Sequence, residues 1–83
     1  MDFRVYVIVE APILDKKYEI LIPIDRRIHD IIRVLKKAIP DLNKGYYTEN
    51  IPCMYNKSTG QVYDMNAIVK YTNIKTGTRI VLI

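Results

Sequence analysis

With one cysteine, one histidine, no tryptophan and three glycines, the 83-residue sequence is short of the residue types that build most catalytic and metal sites. Cys53 alone excludes an internal disulfide and any all-cysteine metal site, and His29 alone excludes the His-rich zinc arrangements. A stable domain here rests on packing. Uninterrupted apolar runs are only a few residues long, far below the roughly 18–20 of a spanning helix, and no basic stretch leads into an apolar segment at the start. Neither membrane insertion nor an export signal is expected, and a cytoplasmic location is the simplest one. Glycine-rich phosphate loops are missing too: Ser58-Thr59-Gly60 and Thr76-Gly77-Thr78 read as hairpin turns.

What is present is one small core. Hydrophobic residues make up 49% of the chain and charged residues 27%, a globular balance, and the length leads to a single domain over residues 1–83. Fourteen Ile and seven Val lean it toward sheet, because β-branched side chains lose χ1 freedom in a helix yet pack well on a pleated surface. The formal charge is +4 and unevenly spread, with eight cations against four anions in residues 16–44. That excess permits contact with nucleic acid, acidic lipid or an acidic protein without choosing among them.

Phe3, Val5, Val7 and Val9 alternate with Arg4, Tyr6, Ile8 and Glu10, the period of a strand with one wholly apolar face. After Ala11-Pro12 and the turn Asp15-Lys16-Lys17, Tyr18, Ile20, Ile22 and Ile24 alternate with Glu19, Leu21 and Pro23, so the two strands read as an antiparallel hairpin. At Asp25, an expected N-cap, the period changes. Ile28, Ile31, Ile32, Leu35, Ala38 and Ile39 then recur at the spacing of one helical stripe, with His29, Asp30, Arg33, Lys36 and Lys37 opposite. Pro40 stops this helix of about 12–14 residues. Residues 41–50 read as loop, 51–55 as a strand, 56–60 as a turn, 61–63 as a very short strand, 64–71 as loop with at most one helical turn, and 79–83 as a closing strand. The order β-β-α-β-β-β predicts an α+β domain: a mixed four- to five-stranded sheet with one amphipathic helix across one face.

The closing runs Val62-Tyr63-Asp64-Met65-Asn66, Tyr71-Thr72-Asn73-Ile74-Lys75 and Thr78-Arg79-Ile80-Val81-Leu82 resemble the ubiquitin-like pattern of a short strand, a knuckle and a terminal strand. The opening hairpin, Pro23-Ile24-Asp25 and the helix are similar in design. Within that superfamily the sequence is most similar to YukD and EsaB, bacterial accessory proteins of type VII secretion systems, through Tyr55-Asn56-Lys57 and Asn73-Ile74-Lys75-Thr76-Gly77-Thr78-Arg79-Ile80. Thr78 stands where that family usually has Asp, and Asn73 where it usually has Gly. The resemblance implies a ubiquitin-like β-grasp fold with the last strand central and parallel to the first. It also implies a cytosolic regulator whose partner is a membrane-anchored ATPase or a pseudokinase-like component of the secretion machine. Modifiers and sulfur carriers of this superfamily use a Gly-Gly tail; the sequence ends at Ile83 inside the expected strand, so conjugation is not expected. A carrier with a missing tail and a basic nucleic-acid-binding module are the alternatives.

An enzyme is not expected. Cys53 and His29 are the only nucleophile and base of the usual kind, and both read as bland: a strand hydrophobe and a solvated histidine. No catalytic residue, cofactor or metal ligand is assigned. Two surfaces remain. If the first strand turns Val5, Val7 and Val9 toward the helix, Tyr6 and Ile8 face the other way; Cys53 and Tyr55 join them if Met54 points inward, and Val81 alternates outward between Ile80 and Leu82. These five are expected to form one apolar patch on the open sheet face, where ubiquitin-like domains commonly recruit proteins. The second surface is the basic helix face of Arg33, Lys36 and Lys37, extended by Arg26 and Arg27. Nucleic-acid binding through it is not expected, since neither interleaved aromatics nor a groove-entering motif accompanies the cations.

Overall fold

The computed structural model describes residues 3–44 and 53–83. Among these residues it contains strand β1 (Arg4–Ala11), strand β2 (Lys16–Pro23), helix α1 (Ile28–Ala38), strand β3 (Met54–Asn56) and strand β4 (Arg79–Leu82). The hairpin forms as its alternation predicts, with β1 and β2 antiparallel in a continuous register from Arg4 opposite Pro23 to Ala11 opposite Lys16. A 3-10 turn at Pro12–Leu14 joins them and ends on Asp15 in the left-handed region (φ 52), a conformation that a short polar side chain tolerates. Strand β4 runs parallel to β1 and antiparallel to β3, giving the sheet order β2-β1-β4-β3. The closing strand is therefore central, as the resemblance implies.

Helix α1 lies across one face, and the core fills the space between. Val7, Val9, Ile22, Met54, Ile80 and Leu82 from the sheet meet Ile28, Ile31, Leu35 and Ile39 from the helix, all fully or almost fully buried. At roughly 1.5–3 kcal/mol for each large apolar side chain removed from water, this layer is the main favourable term in a chain without staples.

Several expectations need correction. Asp25 does not cap the helix. The cap position is Arg27, in extended conformation and bridged to Ile68, with no side-chain cap bond. Val69 N–H donates to the Arg26 carbonyl and Lys70 N–H to that of Ile24, which engages residues 24–27 outside the helix and delays its start to Ile28. The first-turn N–H groups that a side chain would otherwise serve are taken by backbone: Ile28 N–H donates to Ala67 O at 2.9 Å and His29 N–H to Met65 O at 3.0 Å. Phe3 lies on the helix side by parity but is 57% exposed, because it precedes the span that α1 covers. Ala38 is exposed at the end of the stripe.

Pro40 does end the helix, yet residues 40–43 form a 3-10 turn that buries Leu42, where only loop is expected. The short strand at 61–63 reduces to a single bridge between Val62 and Tyr55, while the single turn expected in residues 64–71 is a 3-10 turn at Val69–Tyr71. The start of the third expected strand, with Pro52, lies outside the described residues.

Candidate functional site

The register of the four strands fixes which side chains share the face turned away from α1. Residues directly opposite on paired strands point to the same side, so the face resolves into rows. Tyr6 stands beside Leu21; Ile8 stands between Glu19 and Arg79; Glu10 stands between Lys17 and Val81; and Val81 is followed by Tyr55 and, through its bridge, Val62. One row further, Cys53 and Ile83 exchange backbone bonds, Ile83 N–H donating to Cys53 O at 3.0 Å and Cys53 N–H to Ile83 O at 3.4 Å. Tyr6, Ile8, Cys53, Tyr55 and Val81 thus all belong to this face.

They do not make one apolar patch. Glu10 accepts from Lys57 Nζ at 2.8 Å and lies 3.8 Å from Lys17 Nζ, and since β4 separates β3 from β1, the Lys57 side chain must cross β4 to reach it. This ionic band divides the face in two. Val81, expected to be part of an exposed patch, is only 4% exposed, in a central position between Glu10 and Tyr55. The hydrogen bond from Lys57, aided by the charges of Lys57, Lys17 and Arg79, holds the Glu10 carboxyl below the usual carboxylate range against the opposing effect of desolvation.

On one side of the band, Tyr6 (52% exposed) and Leu21 (37% exposed) flank half-buried Ile8. A shallow groove of about 360 Å³ opens there, lined by Tyr6, Ile8, Glu19, Thr76 and Gly77. Gly77, at φ 93, places its N–H 2.8 Å from Tyr6 O, and Ile8 N–H donates to Thr78 O at 2.9 Å, so the 75–78 turn is stitched to β1 and forms a fixed wall. On the other side, half-buried Cys53 and Tyr55 adjoin exposed Val62 and Ile83. Leu21, Val62 and Ile83 were not among the residues expected on this face. The alternation of β2 already carries Leu21, whereas Val62 and Ile83 need the pairing register.

The helix surface is less concentrated than its charges imply. Arg33 and Lys37 are exposed, while Lys36 is half-buried and its carbonyl accepts from Asn43 Nδ2 at 2.8 Å. Arg27 donates through Nη1 to Asn66 O at 2.6 Å, which ties it to the 64–68 segment and away from a common basic patch.

His29 sits in the first turn of α1 beside Asp30 (3.3 Å), and Cys53 lies on the opposite face of the sheet, so the core separates the single cysteine from the single histidine. Among the described residues no group of three or more His, Cys, Asp or Glu gathers, and no helix is long and apolar enough to cross a membrane. A wider polar cleft of about 870 Å³ lies between the 56–60 turn and the 72–79 segment. Asn56 and Asn73 of its lining are joined through a side-chain network: Asn56 Nδ2 donates to Tyr63 Oη at 2.9 Å, Tyr63 Oη donates to Asn73 Oδ1 at 2.7 Å, and Asn73 Nδ2 donates to Gln61 Oε1 at 3.0 Å. Asn56 Oδ1 also accepts the Ser58 and Thr59 N–H groups, closing the turn. Burial pushes the Tyr63 phenol up from its ordinary value, so it stays a neutral donor, and the network holds the turn in place.

No known protein family and no curated protein matches the chain by sequence. Solved structures do match. A protein described as a molecular mimic of SUMO that promotes DNA repair superposes with a TM-score of 0.73 at 12% identity, covering 100% of this chain and 94% of that one. The ubiquitin-like domain of an Arabidopsis thaliana protein gives 0.69 at 15% identity, covering 99% and 78%. The ubiquitin-like domain of Plasmodium falciparum Dsk2 gives 0.63 at 8% identity, covering 96% and 99%. At these identities the likeness is one of fold, and the fold is ubiquitin-like.

Proposed function

We propose that this ubiquitin-like domain is a non-enzymatic protein-interaction module that captures its partner on the sheet face opposite α1. The observation that supports this reading is the exposed pair Tyr6 and Leu21 around Ile8, beside a groove with a fixed wall. Tyrosine and leucine presented from rigid strands contribute apolar area with little entropy to lose on docking. Cys53 and Tyr55 with Val62 and Ile83 form a second contact area beyond the ionic band. On the resemblance to YukD and EsaB, we read the module as a cytoplasmic accessory or regulator of bacterial type VII secretion. Its partner on that reading is the cytosolic part of a membrane-anchored ATPase or of a pseudokinase-like component.

The test is capture of those purified cytosolic parts by the immobilised domain. Tyr6→Asp, Leu21→Asp and Tyr55→Asp are expected to abolish or strongly weaken capture while circular dichroism and thermal unfolding stay close to the parent. The triple alanine variant of Arg33, Lys36 and Lys37 is expected to capture as before. Loss of capture in the triple variant alone would move the site to the helix. Salt-sensitive oligonucleotide binding lost in that same variant would favour a nucleic-acid-binding module.

A further inference from the structure

We infer that the outer edge of β2 pairs with the same edge of a second copy of this chain, joining two sheets across a two-fold axis at Tyr18. Among the described residues the sheet has two edges, β2 and β3, and β2 is the longer, eight residues against three. The directions of its backbone groups follow from the hydrogen bonds around it. Ile24 N–H donates to Phe3 O, while Ile8 N–H and the Tyr6 carbonyl turn toward Thr78 and Gly77. In an antiparallel ladder that alternation sends the groups of Tyr18, Ile20 and Ile22 toward β1 and those of Lys17, Glu19 and Leu21 outward. Among the described residues nothing accepts from these outward N–H groups. Such an edge is a template for another strand.

Charge chooses the occupant and the register. With the axis at Tyr18, Lys17 of each copy stands opposite Glu19 of the other, and each such pair exchanges both backbone hydrogen bonds. Both side chains are exposed and point to the face away from α1, so the opposite charges meet twice by symmetry. Moving the axis to Glu19 sets Glu19 against its own copy, and like charges directly opposite are unfavourable. The Tyr18 rings lie beside one another on the helix side, where the Tyr18 hydroxyl is buried without a partner in the single chain. Moving the axis to Ile20 would set Lys17 opposite Pro23, which has no N–H to donate. The joined sheet sets the two Tyr6, Ile8 and Leu21 clusters on one continuous face, although the pairing rests on β2 alone and not on what that face binds.

A contact built from one strand edge is small, so the dimer is expected to be weak, with a dissociation constant on the order of 100 µM. Sedimentation equilibrium across a concentration series is the test. The parent chain is expected to show a reversible monomer–dimer equilibrium that weakens as salt rises. Lys17→Glu and Glu19→Lys each place like charges opposite one another and are expected to weaken association roughly tenfold or more. The double exchange, Lys17→Glu with Glu19→Lys, restores the pairs and is expected to return the parent equilibrium. Glu19→Pro, which removes an outward N–H and spares the bonds to β1, is expected to leave a folded monomer. A parent that stays monomeric throughout, single reversals that associate as the parent does, a double exchange that fails to recover, or a Glu19→Pro dimer would each overturn the inference.

Discussion

Glu10 is the residue on which the open face turns. Its carboxyl is held below the ordinary value chiefly by the Lys57 hydrogen bond, so its contribution to stability is full above the unfolded carboxylate pKa and is lost as pH falls through the lower folded value. A side-chain NMR titration is expected to find the Glu10 pKa depressed in the parent and returned toward the ordinary range in Lys57→Met. An unchanged titration in that variant would remove Lys57 as the cause. Val81, opposite Glu10 on β1, separates parity from exposure: Val81→Asp is expected to destabilise by about 2–4 kcal/mol in urea unfolding, whereas Tyr6→Asp on the same face stays within about 0.5 kcal/mol. Tyr63→Phe deprives the Asn56 amide and the Asn73 carbonyl of a buried partner and is expected to cost about 1–2 kcal/mol. Alternation along a strand shows which way Val81 points. It does not show that Val81 is buried, nor that Lys57 reaches Glu10 across β4, a pairing that crosses two strand boundaries.

At the scale of elements, the strands and the helix stripe were legible wherever a period ran unbroken. Val7, Val9, Ile22, Ile31, Leu35, Ile80 and Leu82 are all buried on the side their alternation or helical spacing assigns. The helix start was not legible, since the groups that satisfy it come from residues 65–67, about forty positions away along the chain. Asp25, a favourable cap by residue type, is exposed in the bend that precedes the helix instead. Asp25→Ala is therefore expected to change stability by only a few tenths of a kcal/mol, against about 1 kcal/mol for loss of a working cap. A larger loss in thermal or urea unfolding would return the capping role to Asp25. Leu42 escaped notice for a similar reason: a lone leucine in a polar loop has no period, and its burial depends on the 3-10 turn after Pro40.

For the molecule as a whole, a central parallel β4 between β1 and β3, with α1 across one face, leaves the other face of the sheet uncovered by the helix. The candidate residues were legible as a set, but their grouping was not. Tyr6 and Ile8 come together with Leu21, while Cys53 and Tyr55 lie beyond the Lys17–Glu10–Lys57 band, a division that only the register creates. The basic stretch that dominated the charge count is dispersed in space, with Arg27 tied to residue 66 and Lys36 half-buried. The proposal that the sheet face and not the helix recruits the partner is tested most directly by NMR, following the backbone amides of the labelled domain as the purified cytosolic part of the proposed partner, a secretion ATPase, is added. Binding is predicted to shift or broaden Tyr6, Ile8, Leu21 and the 76–77 turn while leaving Arg33, Lys36 and Lys37 in place; perturbation confined to the helix residues would contradict it.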